Sequence, residues 1–216
     1  MKTLSHLLPA LLLAALLIGG CTGGNADKSG TTGQDTAAAV QFPDNATTAN
    51  VAALYKDYDV TPLSDDTAYC WVESKPQMTR AHYLSRLLKF SGGSQIADVT
   101  FYGYTRVQFI NLGADGVLVG LNSLPVSYQG NPSAMDCKVV LLDANLLTVK
   151  EQTFAYPDLK FTNIDTLYQT ANGFHAEILN QDFGTPYYMR YSVDLDKNNE
   201  ISHTSKQKIQ TSSTKP

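Results

Sequence analysis

A histidine and a glutamate two positions apart, His175 and Glu177, are the pair best placed to transfer a proton. Side chains at positions i and i+2 of a β-strand point to the same face, so an imidazole and a carboxylate would meet there. A hydrolase that uses His175 and Glu177 is therefore one hypothesis for the chain. The alternative is that both belong to the polar, solvent-facing side of a half-buried sheet. No G-x-S-x-G, H-E-x-x-H or phosphate-binding glycine motif accompanies them.

A second candidate site lies closer to the C-terminus. Oxygen-bearing side chains recur there at every second position: Asp194, Asp196, Asn198 and Glu200. This spacing resembles the first half of an EF-hand calcium loop, but Asn199 replaces the turn glycine and Ser205 replaces the bidentate glutamate. Asp, Asn and Lys are equally typical of a tight turn between two strands. We therefore expect no resident cofactor, with Ca²⁺ at these four residues as the alternative.

The N-terminus carries an apolar block, residues 7–18, preceded by the positive charge of Lys2. This layout is typical of an export signal, and a helix of that length rises about 18 Å, too little to span a hydrocarbon core of about 30 Å. The block ends at Ile18-Gly19-Gly20-Cys21, which resembles the lipobox of bacterial lipoproteins. The resemblance implies that residues 1–20 are removed and that the Cys21 thiol carries lipid. The alternative is an ordinary export signal with a chance cysteine.

Residues 21–41 are small and polar, and they predict a flexible tether behind the lipidated cysteine. Thr22 occupies the position where Asp retains enteric-type lipoproteins at the inner membrane, so the resemblance implies the outer membrane, facing the periplasm or the cell surface. The net charge of −4 argues against a nucleic-acid-binding protein, which would present a basic face. The expected partners are the membrane, through the lipid anchor, and an envelope protein or glycan.

Two further cysteines, Cys70 and Cys137, remain once Cys21 is assigned to lipid. Because the compartments beyond the inner membrane are oxidising, an even leftover pair predicts one disulfide. Neither cysteine belongs to a CxxC motif or lies beside a patterned histidine, so a metal or redox role is the alternative.

Two helices are predicted before the sheet, at residues 44–58 and 76–90, with a short strand between them at residues 67–73. In the second helix the apolar residues follow three- and four-residue steps, and Ser91-Gly92-Gly93 ends the pattern. Its other side gathers basic residues, which predict either a solvent-exposed face or a contact with an acidic partner: Lys75, His82, Arg86 and Lys89.

An internal repeat follows. Asp115-Gly116 and Asn172-Gly173 each separate runs of alternating apolar residues, which is the strongest short signal for a hairpin with a type I′ turn. If each pair forms the turn itself, Val117 faces Ala114. A second hairpin follows each of the two, with turns at residues 143–145 and 196–199.

The repeat predicts an α+β fold, mainly antiparallel sheet, built from two tandem four-stranded units at about residues 100–156 and 157–206. Each unit has the length and turn chemistry of a β-propeller blade. Because two blades cannot close a ring, we expect a twisted sheet or a sandwich with one side covered by the two N-terminal helices.

The predicted organisation is a signal peptide at residues 1–20, a lipidated tether at 21–41, one globular domain at 42–210 and a disordered tail at 207–216. The predicted function is that of a lipid-anchored cell-envelope lipoprotein, acting as a non-catalytic binding or structural module. The alternatives are the hydrolase described above and a carrier that holds a hydrophobic ligand in an apolar cavity between helices and sheet.

Overall fold

The computed structural model describes residues 45–64, 68–75, 83–124, 127–128, 131–132, 135–182 and 184–211. All of them belong to one compact unit, Phe42–Pro216. The predicted signal peptide, Cys21 and the tether lie outside the described residues. In the described part of the chain, no helix is both long enough and apolar enough to cross a membrane.

Fourteen β-strands dominate the described residues, with one short α-helix, α1 (Val51–Leu54), and one 3-10 turn, Gly113–Asp115. The strands, in chain order, are β1 (Tyr58–Pro62), β2 (Tyr69–Ser74), β3 (Leu84–Ser91), β4 (Ser94–Tyr102), β5 (Tyr104–Asn111), β6 (Val117–Ser123), β7 (Ser127–Tyr128), β8 (Asn131–Pro132), β9 (Cys137–Leu142), β10 (Thr148–Phe154), β11 (Phe161–Gln169), β12 (Gly173–Gln181), β13 (Tyr187–Asp196) and β14 (Ile201–Gln210). The fold is therefore mostly antiparallel β-sheet.

Three four-stranded antiparallel sheets follow one another along the chain. The first has the order β1-β2-β3-β4, the second β5-β6-β9-β10 and the third β11-β12-β13-β14. The strands of each sheet are adjacent in chain order, apart from the short β7–β8 hairpin that interrupts the second sheet. The predicted hairpins after residue 100 are confirmed, since they form the second and third sheets.

The repeat is visible in two glycines that begin equivalent strands. A Cβ atom on Gly116 would lie 2.0 Å from the backbone oxygen of Leu142, and one on Gly173 would lie 2.1 Å from that of Leu195. Only glycine permits so close an approach of two backbones. The Asp-Gly and Asn-Gly signals therefore mark the correct hairpins.

The register predicted for the first of these hairpins is wrong. Val117 pairs with Asn111 rather than with Ala114, because the 3-10 turn Gly113–Asp115 lengthens the connection between β5 and β6. A two-residue type I′ turn does not form there, although the glycine signal remains in place.

The predicted helix at residues 76–90 is wrong in its described half, because the chain from Leu84 onward forms β3. This strand is buried on both faces: Leu87 points toward the second sheet and Leu88 toward the opposite side, and neither has exposed surface. A strand buried on both faces is apolar throughout, and its spacing can imitate a helical face. Residues 76–82 lie outside the described part.

The predicted basic helix face does not form. Arg86 is buried, and its guanidinium donates to Tyr55 Oη (3.0 Å) and to the Asp98 carboxylate. Lys89 lies on the opposite face of β3, where its Nζ donates to the backbone oxygen of Ala144 at 2.5 Å. Alternation along a strand separates these two cations, whereas a helix would bring them together.

The predicted helix at residues 44–58 is reduced to the single turn α1, because the residues from Tyr58 onward pair with β2. Val51 and Tyr55 are buried in a cluster with the outer face of the first sheet, which contributes Cys70, Val72, Leu88 and Phe90. The segment around α1 therefore covers the first sheet on the side away from the second.

The prediction of two tandem units is wrong in number, since the described strands form three four-stranded sheets. Gly92 and Gly93 join β3 to β4 with φ values of 57° and 80°, as the two central positions of a type I′ turn require. Because Gly-Gly also ends helices, this signal is ambiguous in the sequence, and the apolar spacing of β3 favours the wrong element.

The sheets stack face to face, and the second sheet is buried on both faces. Between the first and second sheets lie Tyr69, Trp71, Leu87, Val117, Val119, Leu121, Val140 and Leu142. Between the second and third sheets lie Leu118, Val139, Leu141, Ile164, Leu167, Ala176, Ile178 and Val193. Burial of these two apolar layers holds the stack together.

The predicted disulfide is wrong, since Cys70 and Cys137 are free and buried. Cys70 faces the α1 segment on the outer side of the first sheet, whereas Cys137 lies between the second and third sheets. Packed sheets are about 10 Å apart, and a disulfide needs Cα atoms within about 7 Å. The layers of the stack therefore keep the two thiols apart.

The last strand extends further than the sequence predicts. β14 pairs with β13 through the Tyr187–Gln210 position, so residues 207–210 of the predicted tail belong to a strand. Residues 212–216 lie outside the described part of the chain.

Candidate functional site

His175 and Glu177 lie on the outer face of the third sheet. Along β12 burial alternates, and Phe174, Ala176 and Ile178 point into the core while His175 and Glu177 point away from it. The prediction that His175 and Glu177 point to the same face of a strand is confirmed. The strict alternation of apolar and polar residues in β12 produces this placement.

The imidazole of His175 is held between two carboxylates. Its Nδ1 lies 2.6 Å from Asp194 Oδ1 and its Nε2 lies 3.0 Å from Glu177 Oε1. Asp194 reaches it because β13 places that residue directly opposite His175. Since an ionised carboxylate only accepts hydrogen bonds, both ring nitrogens donate, which is the arrangement of a charged imidazolium.

Glu177 has further polar neighbours on β13. Ser192 Oγ donates to the same Oε1 at 2.8 Å. Arg190 Nε lies 3.9 Å from Glu177 Oε2, too far for a hydrogen bond. Arg190 Nε and Glu177 Oε2 are both buried, and both lack a hydrogen-bond partner among the described residues. The guanidinium therefore contributes charge to the cluster rather than a directed bond.

The cluster shifts the titration of its members in opposite directions. Burial lowers the pKa of His175, but its bonds to Asp194 and Glu177 outweigh burial and raise that pKa above its ordinary value of 6.5. Burial raises the pKa of Glu177, but the bonds from His175 and Ser192 outweigh it and hold that pKa below 4.5. Both shifts favour the charged forms of the pair.

This geometry does not assemble a nucleophile and a base. Both nitrogens of His175 are occupied by carboxylates, and Ser192 donates to Glu177 rather than to the imidazole. A general base needs a free nitrogen within reach of the proton that it removes. In this arrangement the cluster acts as an electrostatic clamp between β12 and β13.

Two clefts lie at the end of the stack where the hairpin turns gather. One cleft of about 450 Å³ has Leu141 and Phe174 among its lining residues, with the polar residues Gln169, Thr170 and Lys197. A second of similar volume shares Thr170 and Phe174 with it. Neither is lined by His175 or Glu177, but Asp194, which is bonded to His175, lines the second. The mixed polar and apolar lining of both clefts differs from the apolar cavity that the carrier hypothesis requires.

The four calcium candidates do not converge on one point. Asp194 bonds to His175, while Glu200 Oε1 pairs with Lys150 Nζ at 2.6 Å. Asp196 Oδ1 accepts from the backbone N–H groups of Asn198 (2.8 Å) and Glu200 (2.9 Å). Within the described ranges, no group of three or more His, Cys, Asp or Glu residues has the geometry to hold a metal ion.

Asn199, which stands out in the sequence only as a departure from the calcium-loop pattern, connects the second and third sheets. Its φ is 61°, it has no exposed surface, and its Nδ2 donates to the backbone oxygens of Val139 (3.0 Å) and Lys150 (3.3 Å). Leu146 occupies the equivalent position of the preceding repeat, with φ 61° and only 2% exposure. The sequence feature that Leu146 and Asn199 share is an aspartate three residues before each of them.

Comparisons of the chain with protein-family models, with curated proteins and with solved structures find no match. The assignment of function therefore depends on the residues of this chain. Cys21 and its lipobox lie outside the described residues, so the lipid anchor stays a prediction.

Proposed function

We propose that the chain is a lipid-anchored lipoprotein of the bacterial cell envelope, whose β-rich body binds another envelope component and catalyses no reaction. The anchor is supported by the apolar block and by Ile18-Gly19-Gly20-Cys21. At roughly 0.8 kcal/mol per buried methylene, two or three acyl chains bind a membrane almost permanently. A tether of some twenty residues spans about 25 Å, which lets the body stand clear of the bilayer.

One observation supports a non-catalytic role most directly: both ring nitrogens of His175 are bonded to carboxylates, at 2.6 and 3.0 Å. This histidine was the best candidate for a general base. With its nitrogens occupied, the chemistry expected of the alternative hydrolase has no proton acceptor at this position. Binding remains the activity that the described residues favour.

The body suits a free-standing binding module. Its three sheets are propeller-blade-like, but a closed ring needs about four or more. The α1 segment covers the outer face of the first sheet, and the charged cluster around His175 occupies the outer face of the third. Stacked repeats end in such polar or covered faces when they remain open.

The anchor is tested by comparing the native chain with Cys21→Ala in a Gram-negative host, by fractionation and by labelling with an alkyne fatty acid. We expect the native protein in the outer membrane with label, and the variant without label. Thr22→Asp is the matched control: it should keep the label and move to the inner membrane. Equal labelling of native chain and Cys21→Ala would contradict the proposal.

The binding role is tested by crosslinking in intact cells. A specific envelope component should crosslink to the native chain and should be lost when Cys21→Ala releases the body from the membrane. His175→Asn should leave this crosslink unchanged. A crosslink that depends on His175, together with substrate turnover, would instead support the hydrolase.

A further inference from the structure

We propose that β14 is a docking edge for an extended, acidic segment of a partner protein, which adds a fifth strand to the third sheet. The proposal deepens the binding role given above, and it rests on that role for the envelope location of the partner. Addition of a strand to an open sheet edge is a recurring mode of peptide recognition, because the unpaired backbone groups supply the hydrogen bonds.

β14 offers a long open edge. It pairs with β13 from Leu195–Ile201 to Tyr187–Gln210, and no other described strand pairs with it. Ten residues at about 3.4 Å each give an edge of about 34 Å. All of its residues except Ile209 are exposed, so neither of its faces is covered by the rest of the described chain.

Three of the other sheet edges are less accessible to a new strand. β11 packs against β5 and β6 inside the stack. β1 is only five residues long and ends at Pro62, which has no N–H to donate. β10 pairs irregularly with its neighbour between Thr148 and Lys150. Proteins commonly protect edges by these means. β14 has no proline or glycine, and its one irregularity, at Ser202, lies at its start, so that His203–Gln210 pair regularly with β13.

The charge of β14 specifies the partner. Residues 201–210 contain no acidic side chain, and their cations are Lys206 and Lys208. Lys206 is paired with Asp158 at 2.8 Å, whereas Lys208 lies over the ring of Tyr187 and has no ion pair with a described carboxylate. Lysines on an edge disfavour pairing with a second copy of the same strand, so an acidic segment fits better.

Exposed apolar side chains lie near the start of β14. Ile201 is 48% exposed; Leu147, which precedes β10, and Val149, at its start, are 64% and 60% exposed. The Lys150–Glu200 ion pair, at 2.6 Å, brings the starts of these two strands together. A docking segment would therefore combine acidic residues near Lys208 with apolar residues near Ile201.

The test uses the full chain purified in detergent and two synthetic peptides, one alternating glutamate with valine and one alternating lysine with valine. Hydrogen exchange is measured for each amide of β14. Because every second N–H of an edge strand points outward, we expect the glutamate peptide to slow exchange at least tenfold at alternate residues of His203–Gln210, where β14 pairs regularly with β13. The lysine peptide should leave these amides unchanged.

A charge-reversing variant sharpens the test. Lys208→Glu should abolish the protection by the glutamate peptide and create protection by the lysine peptide. Lys56→Glu is the matched control, because this exposed lysine precedes β1 in the first sheet, and it should bind as the native chain does. Circular dichroism of each variant confirms that the sheets are intact.

Three outcomes would overturn the proposal: no slowing in β14, equal slowing by both peptides, or uniform slowing without alternation. Protection that appears with rising protein concentration in the absence of peptide would assign the edge to a second copy instead. Loss of lipid labelling at Cys21 would leave all of these readouts unaffected, so failure of the anchor and failure of the docking edge are distinguishable.

Discussion

Asp143 and Asp196 perform the same task in consecutive sheets. In both turns the aspartate Oδ1 accepts from the backbone N–H groups two and four residues later, at 2.8 and 2.9 Å. The repeated acidic turn is therefore a property of chain geometry, and the resemblance of residues 194–200 to a calcium loop follows from the needs of a tight connection.

Calcium is predicted to leave the protein unchanged. Because Asp194 and Glu200 are engaged by His175 and Lys150, millimolar Ca²⁺ should not shift the melting temperature. Asp196→Ala should lower the free energy of unfolding by about 1 kcal/mol with or without the ion, through loss of the turn bonds. A rise in melting temperature with Ca²⁺ that this variant abolishes would restore the calcium hypothesis.

Asn199 is predicted to stabilise the contact between the second and third sheets. Asn199→Ala removes both bonds to the neighbouring strands and places alanine at φ 61°, so we expect a loss of about 2–4 kcal/mol in urea unfolding. Asn199→Gly removes only the bonds and should cost about 1–2 kcal/mol.

The exposed neighbour Asn198 provides the control for this experiment, since its side chain makes no hydrogen bond within the described part of the chain. Asn198→Ala should change stability by less than about 0.5 kcal/mol. Equal effects of the two alanine variants would contradict the assigned role of Asn199.

The cluster around His175 predicts a pH dependence of stability. The folded pKa of His175 lies above 6.5, so its contribution is complete below 6.5 and is lost as pH rises through the folded pKa. The folded pKa of Glu177 lies below 4.5, so its contribution is complete above 4.5 and is lost as pH falls through the folded pKa. The cluster therefore stabilises most between these two values.

Urea unfolding at about pH 5.5 and about pH 8.5 measures the part of this pH dependence that comes from His175. The native chain should lose more stability between the two conditions than His175→Gln, in which position 175 no longer titrates. Equal losses of stability in the two proteins would show that the pKa of His175 does not change on folding, and would contradict this prediction.

Both core cysteines are predicted to be free thiols even after export to an oxidising compartment. In Cys21→Ala, a thiol reagent should not modify the folded protein, because burial raises the pKa of Cys70 and of Cys137 and blocks access. Both thiols should react once the protein is unfolded without reductant. Absence of any reactive thiol in the unfolded chain would indicate a disulfide and contradict the layer order.

The back half of the chain could be predicted from sequence because its signals are local. Alternation in β12 and β13 and the glycines at positions 116 and 173 specify strands and turns without reference to distant residues. The shared face of His175 and Glu177 follows from the same alternation. The involvement of Asp194 requires the pairing of β12 with β13, which alternation alone does not supply.

The front half could not be predicted because its signals depend on tertiary packing. Leu87 and Leu88 can both be apolar because β3 is covered on both faces, by the second sheet on one side and by the α1 segment on the other. The number of cysteines and the compartment predict a disulfide. Neither of them indicates in which layer of the stack a cysteine lies. Asn199 is similar, since its partners lie in another sheet.

The central claim is that a lipid on Cys21 holds this stack of sheets at a bacterial membrane, and the intact mass of the protein purified from host membranes tests it most directly. The account predicts a chain that begins at Cys21 and carries two or three acyl groups, with no acylated species from Cys21→Ala. A mature chain that begins elsewhere, or that begins at Cys21 without added acyl mass, would contradict it.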